Sequence, residues 1–192
     1  DVSIQTKLTK SEECVLEIRD MGSIVIEAKY ILEIVRKIDA DEIEFEMIDG
    51  SLTKISGNTA EFRINGMRAN EYPAIDFSKP KECFALKEET LKKVILQTSF
   101  ATSDKETRPV LTGVNFHCEG NTLHCVATDS YRLAKKTIDI SESLNFNITI
   151  PAKSLSEVVK TLEGEGEVEI AVNDKKAQFI IHDTIVQTRL ID

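Results

Sequence analysis

Hydrophobic and polar residues alternate along much of the chain, and this two-residue period predicts β-strands that bury one face. In three places the period lengthens to that of an amphipathic helix, with apolar residues at i, i+3, i+4 and i+7. The predicted helices are Ala28–Ile38, Glu88–Ser99 and Ala152–Leu162. The predicted strands are residues 2–8, 14–19, 43–48, 60–65, 83–86, 110–118, 122–128, 132–140, 147–150, 167–172, 177–182 and 185–191. Neither period continues through residues 71–80, which contain two prolines and are typical of an interdomain linker.

The helices belong to an internal repeat. The sequence Ile-Glu-Ala-Lys at residues 26–29 matches Ile-Pro-Ala-Lys at residues 150–153, and the apolar register continues through the helix that follows. A looser copy begins at Phe84. Each copy has a strand and a helix followed by three strands, so we expect one structural unit to recur along the chain.

The polar faces of the first and third helices carry charges in the same order, basic, acidic, basic. These residues are Lys29, Glu33 and Arg36 in the first helix and Lys153, Glu157 and Lys160 in the third. The middle helix has Glu89, Lys93 and Leu96 at the matching positions. One interpretation is a solvated face with weak ion pairs. The other is a common basic surface, because equivalent helices in a repeat array line one side.

Composition restricts the function. The 192 residues include 24 Lys and Arg against 33 Asp and Glu, so the net charge is −9. Such a protein cannot hold nucleic acid through its overall field, and any such binding must use local clusters of cations. No apolar run reaches the roughly 20 residues of a membrane span, and the first residues resemble no signal peptide, which favours a cytoplasmic protein. Because the chain starts without Met in a predicted strand, we expect it to be a fragment.

Cysteine and histidine offer one possible metal site. His117-Cys118 and His124-Cys125 flank a predicted turn at Gly120-Asn121, so four soft ligands are near each other in sequence. In a hairpin closed there, alternation sends each His and its neighbouring Cys to opposite faces. The favoured interpretation is therefore buried free thiols, without a metal or other cofactor, and the metal site is the alternative.

The sequence contains no P-loop, HExxH or GxSxG motif. Tyr131 and Lys135 have the YxxxK spacing of short-chain dehydrogenases, but that chemistry needs both side chains on one helix face. Residues 122–140 read as strands, and no dinucleotide-binding motif precedes them. A non-enzymatic protein is the expectation, with a dehydrogenase as the alternative.

Two motifs resemble the bacterial sliding clamp family, the beta subunit of DNA polymerase III. They are Thr107–Val114, with the sequence TRPVLTGV, and Val126–Ala134, with the sequence VATDSYRLA. The resemblance implies the α+β DNA-clamp fold, with helices on one face of antiparallel sheets. It further implies that residues 1–80 are the second half of a first domain, that residues 82–192 are the middle domain, and that a third domain is missing.

Clamps of this family are processivity factors without catalytic activity, and two subunits form a ring around duplex DNA. The resemblance implies a homodimeric ring for the full-length protein, but not for this fragment. It also implies sequence-independent DNA contacts by cations on the repeated helices and on the loop at residues 103–108. The candidate residues are Lys29, Arg36, Lys93, Lys105, Lys153 and Lys160. For Lys105, an ordinary flexible loop is the alternative.

The family also has a pocket that takes short peptides. Its partners are the polymerase III catalytic subunit, the clamp loader, other polymerases and repair proteins. The residues of this chain that match the pocket are Leu111, Thr128, Ser130, Tyr131, Arg132 and Leu133. The alternative is that Leu111 and Leu133 are core strand residues. For the whole protein, the alternative function is a protein-binding scaffold that never encircles DNA.

Overall fold

The structure is a computed structural model that describes residues 2–12 and 14–192. The described helices are α1 Ala28–Val35, α2 Glu88–Thr98 and α3 Ala152–Thr161. The described strands are β1 Val2–Thr6, β2 Ile24–Val25, β3 Glu44–Met47, β4 Leu52–Gly57, β5 Ala60–Asn65, β6 Met67–Arg68, β7 Glu82–Lys87, β8 Gly113–Thr128, β9 Leu133–Pro151, β10 Glu167–Val172, β11 Lys176–Ile181 and β12 Thr184–Arg189. The chain forms two compact units: a small unit, Lys10–Asp76, and a large unit, which combines the residues up to Thr9 with Phe77–Asp192.

The large unit contains a five-stranded antiparallel sheet in the order β1-β12-β11-β10-β7. Its first strand comes from the start of the chain, where Val2 pairs with Thr188. The boundary at residues 80–82 stays a prediction, but β1, which precedes the whole small unit in sequence, belongs to the sheet of the large unit.

Helices α2 and α3 supply much of the core of the large unit. Each follows directly on a strand, α2 after β7 and α3 after β9, and their apolar stripes form the core. Leu91, Val94 and Ile95 of α2 and Leu155 and Val158 of α3 are almost completely buried. The helices pack against each other and contact strands of the sheet and the β8–β9 hairpin. Each buried side chain of this size contributes about 1.5–3 kcal/mol of burial free energy, so this core stabilises the unit strongly.

Strands β8 and β9 pair in an antiparallel sheet, and β8 contains the predicted turn at Gly120-Asn121. Gly113–Gly120 pairs with Leu144–Pro151, and Thr122–Thr128 pairs with Leu133–Asp139, with a register shift between Gly120 and Thr122. The chain reverses at Gly120-Asn121 within β8, as predicted: the rings of His117 and His124 lie across this turn with centroids 6.4 Å apart. In a continuous strand, residues seven apart would be separated by roughly 23 Å. Gly120 adopts a φ of +61°, the left-handed conformation that a two-residue turn needs and that glycine adopts without steric cost.

The small unit has a much smaller core. It contains α1, the antiparallel sheet β3-β4-β5 and the β2–β6 pair. Its buried apolar side chains among the described residues are Ile38, Ile55 and Ile64, of which only Ile55 is completely buried. Large apolar side chains on α1 and β3, including Leu32, Phe45 and Met47, are half exposed.

Three predictions in the small unit differ from the structure. Residues 14–19 form no strand, although they alternate, because no neighbouring strand pairs with them. Strand β4 was not predicted, since Thr53 and Ser56 weaken its alternation, yet Thr53 and Ile55 are both buried. Helix α1 ends at Val35 instead of residue 38. Among the described residues, the structure has no helix with the length and apolar character needed to cross a membrane.

Candidate functional site

A surface cavity lies beside the start of β8. It has a volume of about 310 Å³, and it is lined by Val110, Leu111, Gly113, Asn115, Val126, Ala127, Thr128 and Thr149. Two predicted pocket residues, Leu111 and Thr128, are among them. Sequence reasoning missed Val110, Asn115 and Thr149. Alternation along β8 places Asn115 on the same face as Gly113, and this was the available signal. Val110 and Leu111 lie in a 3₁₀ turn, Pro109–Thr112, where a strand was predicted.

The turn between β8 and β9 adjoins this cavity and contains the other predicted pocket residues. Asp129 Oδ1 accepts hydrogen bonds from the backbone N–H groups of Tyr131 and Arg132, both at 2.9 Å. Thr128 Oγ1 donates to the carbonyl oxygen of Arg132 at 2.7 Å and accepts from the N–H of Ser130 at 3.1 Å. Ser130 has a φ of +77°, a left-handed conformation that this network holds in place.

The surroundings of Asp129 favour the charged form of its carboxyl group. The two backbone N–H donors, from Arg132 and Tyr131, lower its pKa below the ordinary value, and the guanidinium of Arg132 adds to the effect. Hydrogen bonds to the charged form of a carboxyl group favour that form. The turn is therefore held by an ionised side chain at neutral pH.

The turn displays its side chains to solvent. Tyr131 is 98% exposed and Leu133 is 65% exposed, and neither is among the residues that line the cavity. The alternative that Leu133 is a core residue is wrong, whereas Leu111 is half-buried in the cavity wall. Arg132 lies between two partners: its Nε donates to Asp129 Oδ2 at 3.1 Å, and its guanidinium carbon lies 5.5 Å from the ring centroid of Phe100. The structure thus brings together a cavity with apolar walls and an adjoining turn that carries an exposed aromatic ring and a cation.

The six predicted DNA-contacting cations are exposed, and they fall into two groups. Lys93 is paired with Glu89 at 2.5 Å and Lys160 with Glu157 at 2.8 Å, each on its own helix. In the described part of the chain, the side chains of Lys29, Arg36, Lys105 and Lys153 form no ion pair. Lys29 and Arg36 lie at α1 in the small unit, whereas Lys93, Lys153 and Lys160 lie on α2 and α3, which pack together in the large unit.

Lys105 lies on a closed loop next to the cavity. Its backbone N–H donates to Ser103 Oγ at 3.1 Å, and the N–H of Ser103 donates to the carbonyl of Leu111 at 2.8 Å. The loop therefore begins at Ser103 and returns to the cavity wall at Leu111. Its cation is exposed on the same segment of chain that lines the cavity.

The alternative chemistries find no support in the described residues. No cluster of three or more His, Cys, Asp or Glu side chains that could hold a metal occurs there. His117 and His124 stack with ring centroids 6.4 Å apart and planes nearly parallel, so their in-plane nitrogens do not converge on one ion. Cys118 and Cys125 are buried, and burial raises the pKa of Cys125 to about 12. Tyr131 lies in a turn and Lys135 in a strand, so the helix that YxxxK chemistry needs is not formed at these residues.

Comparisons with known proteins decide the family. Residues 85–192 match the model of the central domain of the DNA polymerase III beta subunit, and residues 1–76 match that of its N-terminal domain. The chain belongs to the DNA polymerase III beta subunit family. The fold and the family that the two sequence motifs implied are thereby confirmed.

Curated relatives of this family named beta sliding clamp align along the whole chain. Those of Halalkalibacterium halodurans and Bacillus subtilis are each 39% identical to it, over 199 and 197 residues. Each alignment covers 100% of this chain and 52% of the relative, so the chain spans about half the length of the clamps it matches.

Solved clamp structures have the same fold. The crystal structure of the DNA polymerase sliding clamp from Bacillus subtilis superposes with a TM-score of 0.95 at 36% identity, covering 100% of this chain and 52% of that one. The DNA polymerase III beta chain from Streptococcus pneumoniae gives a TM-score of 0.93 at 30% identity, with the same coverage. The chain therefore has the clamp fold over its full length.

Proposed function

We propose that this chain is part of a DNA sliding clamp, a non-catalytic processivity factor that encircles duplex DNA as a homodimeric ring. Residues 1–80 form the second half of its first domain and residues 82–192 its middle domain. The full-length protein tethers the replicative polymerase in the cytoplasm, and this fragment alone does not close the ring. The observation that carries the proposal is the match to two consecutive clamp domains in one chain.

The DNA contact uses helix cations and not the overall charge. Lys29, Arg36 and Lys153 carry exposed charges without an intramolecular ion pair in the described residues, so each is available to a phosphate. Such contacts carry no sequence information and weaken as salt rises. A net charge of −9 limits binding elsewhere on the surface, which suits a protein that must slide.

The partner contact uses the cavity and its rim. Val110 and Leu111 supply apolar walls, while Asn115 and Thr128 supply polar groups that orient a ligand. This arrangement suits a short peptide with apolar side chains and a glutamine. The partners are the polymerase III catalytic subunit, the clamp loader, other polymerases and repair proteins. Because the third domain supplies the rest of the pocket, we expect this fragment to bind such peptides weakly.

Comparing how long the protein stays on circular and on linear DNA tests whether it forms a ring. Full-length protein loaded on nicked circular DNA should remain bound through gel filtration and should leave when the circle is linearised. Equal retention on circular and linear DNA would contradict encirclement and favour a scaffold that binds protein without enclosing DNA.

A charge variant tests the DNA surface. Replacing Lys29, Arg36, Lys153 and Lys160 together with Ala in the full-length protein should weaken binding to duplex DNA uniformly across sequences. The slope of log K against log salt should become shallower by roughly one for each phosphate that the variant no longer binds. A matched control replaces Lys7, Lys10, Lys81 and Lys175, which are exposed and lie outside the helices. An equal change in both variants would mean that the helices have no special role.

A further inference from the structure

Phe100 stands out because it is a large aromatic residue on the surface with one specific contact. It is 57% exposed, and it lies in the 3₁₀ turn Ser99–Ala101 that follows α2. The guanidinium of Arg132 lies 5.5 Å from its ring centroid, within the range of a cation–π interaction. Neither of the two motifs that identify the family includes this residue.

The segment that carries Phe100 is fixed by buried residues and hydrogen bonds on both sides of the ring. Thr98 and Ala101, on either side, are completely buried, and Thr98 Oγ1 donates to the carbonyl of Val94 at 2.7 Å. Thr102 Oγ1 donates to the carbonyl of Ser99 at 2.8 Å, and Ser103 donates its N–H to Leu111 in the cavity wall. The ring is therefore positioned by the same framework that forms the cavity.

Arg132 is restrained at several of its atoms. Its carbonyl oxygen accepts from Thr128 Oγ1, a group of the cavity wall, and its N–H and Nε donate to the carboxylate of Asp129. The Phe100 ring, on another side of the guanidinium, further restricts its orientation. A guanidinium has five N–H donors, and one of them is used by Asp129. In the described residues the four donors on the two Nη atoms have no protein acceptor, so they remain available to a ligand.

We propose that Phe100 is a positioning residue of the peptide-binding surface: its ring orients the guanidinium of Arg132 so that the free Nη donors bind an acidic side chain of the partner peptide. This inference rests on the proposed function, because it assigns part of the peptide recognition to a residue outside the cavity. A planar guanidinium fixed between a ring and a carboxylate presents two parallel N–H donors, the geometry that a second carboxylate accepts. Peptides with an acidic residue beside their apolar residues are therefore preferred.

The test uses the full-length protein and two synthetic peptides with a glutamine and two apolar residues, one carrying Asp and the other Asn at the neighbouring position. Fluorescence anisotropy should show that Phe100→Leu weakens binding of the Asp peptide about three- to tenfold and changes binding of the Asn peptide much less. Phe100→Tyr keeps the ring and should bind both peptides like the wild type. Leu96→Ala, one helical turn before Phe100 and also exposed, is the control.

The outcomes separate this proposal from the one on which it rests. Equal weakening for both peptides, or no rescue by Phe100→Tyr, would mean that Phe100 only supports the local fold and would overturn the proposal. A wild type that binds neither peptide would contradict the peptide site itself. A second measurement stays decisive in that case: the Arg132 Nε–H resonance should lose its ring-current shift in Phe100→Leu, and an unchanged resonance would overturn the positioning role.

Discussion

Asp129 organises the turn between β8 and β9 through one carboxylate. Its oxygens accept from two backbone N–H groups and from the Nε of Arg132, and these donors lower its pKa. Because the pKa is lower in the folded state than in the unfolded state, the group stabilises the fold at pH values above its ordinary range. This contribution is lost as the pH falls through the lowered folded-state value.

We predict that Asp129→Ala releases the turn while leaving the hairpin intact. The amide resonances of Tyr131 and Arg132 should move, and the affinity of the full-length protein for a clamp-binding peptide should fall several-fold. Asp129→Asn keeps one acceptor oxygen and should have a smaller effect. In the wild type, acid titration should leave both amides unchanged until the pH is below the usual range of Asp. The control Asp174→Ala, in an exposed turn, should change neither resonance.

Glu88 is a second carboxylate with a structural role, and it is completely buried. Its Oε2 accepts from the N–H of Gly164 at 2.7 Å, and its own N–H donates to the carbonyl of Gly166 at 3.0 Å. Its Oε1 lies 3.0 Å from His182 Nε2 without the geometry of a hydrogen bond. One side chain therefore joins the start of α2 to the loop that follows α3.

Replacing Glu88 with Ala should lower the free energy of unfolding by about 1–3 kcal/mol, because the N–H of Gly164 loses its acceptor. Urea unfolding followed by circular dichroism measures the change. Glu89→Ala removes the neighbouring exposed carboxylate and should change stability by less than about 0.5 kcal/mol. Similar losses in the two variants would show that the contact with Gly164 contributes little.

The repeated helices have the same apolar stripe, but the stripe is buried to different depths in the two units. Leu155 and Val158 of α3 are completely buried between sheet, hairpin and α2. The equivalent residues of α1, Ile31 and Ile34, are only half-buried in the small unit. The helical period predicts which face of a helix is apolar, but the depth of burial depends on what packs against that face.

Accordingly, Leu155→Ala should cost about 2–5 kcal/mol of unfolding free energy, and Ile31→Ala should cost clearly less. Chemical denaturation of the two variants beside Ser156→Ala, an exposed position on α3, provides the comparison. Equal costs for Leu155→Ala and Ile31→Ala would mean that the small unit buries its helix as deeply as the large unit.

The elements show where sequence patterns are informative and where they are not. The predictions for β5 and β10 are confirmed to the residue, because apolar side chains recur at every second position in both strands and turn residues follow each strand. The turn at Gly120-Asn121 is confirmed as well, since His117 and His124 stack across it with ring centroids 6.4 Å apart. Residues 14–19 alternate like a strand but lack a partner, and alternation within one segment does not reveal this.

Some residues of the candidate site were likewise predictable from the sequence, and others were not. Leu111 and Thr128 were predicted from a family motif, and both line the cavity. Phe100 was not predicted, since its contact with Arg132 joins segments that only the tertiary fold brings together. Likewise, the helical period located the exposed cations, but the pairs Lys93–Glu89 and Lys160–Glu157 depend on side-chain geometry.

At the scale of the whole molecule, the two units differ in the size of their cores. The large unit buries an extensive apolar cluster, whereas the small unit buries three isoleucines among its described residues and leaves large apolar side chains exposed. We therefore expect two unfolding transitions in urea, with the small unit unfolding first. Hydrogen exchange resolved by residue should show Ile55 and Ile64 exchanging at lower urea than Ile150 and Phe179. A single transition with uniform exchange would contradict this prediction.

The place of β1 affects how the large unit folds. Strand β1 pairs with β12, and the entire small unit, β7–β11 and both helices of the large unit lie between them in sequence. During synthesis β1 therefore remains without its partner strand β12 until nearly all the described chain has been made. Contacts between such distant residues slow folding, because a long loop must close before they form. Completion of this sheet edge is thus expected to be a late step, and until then the edge of β12 is open to strands of other molecules.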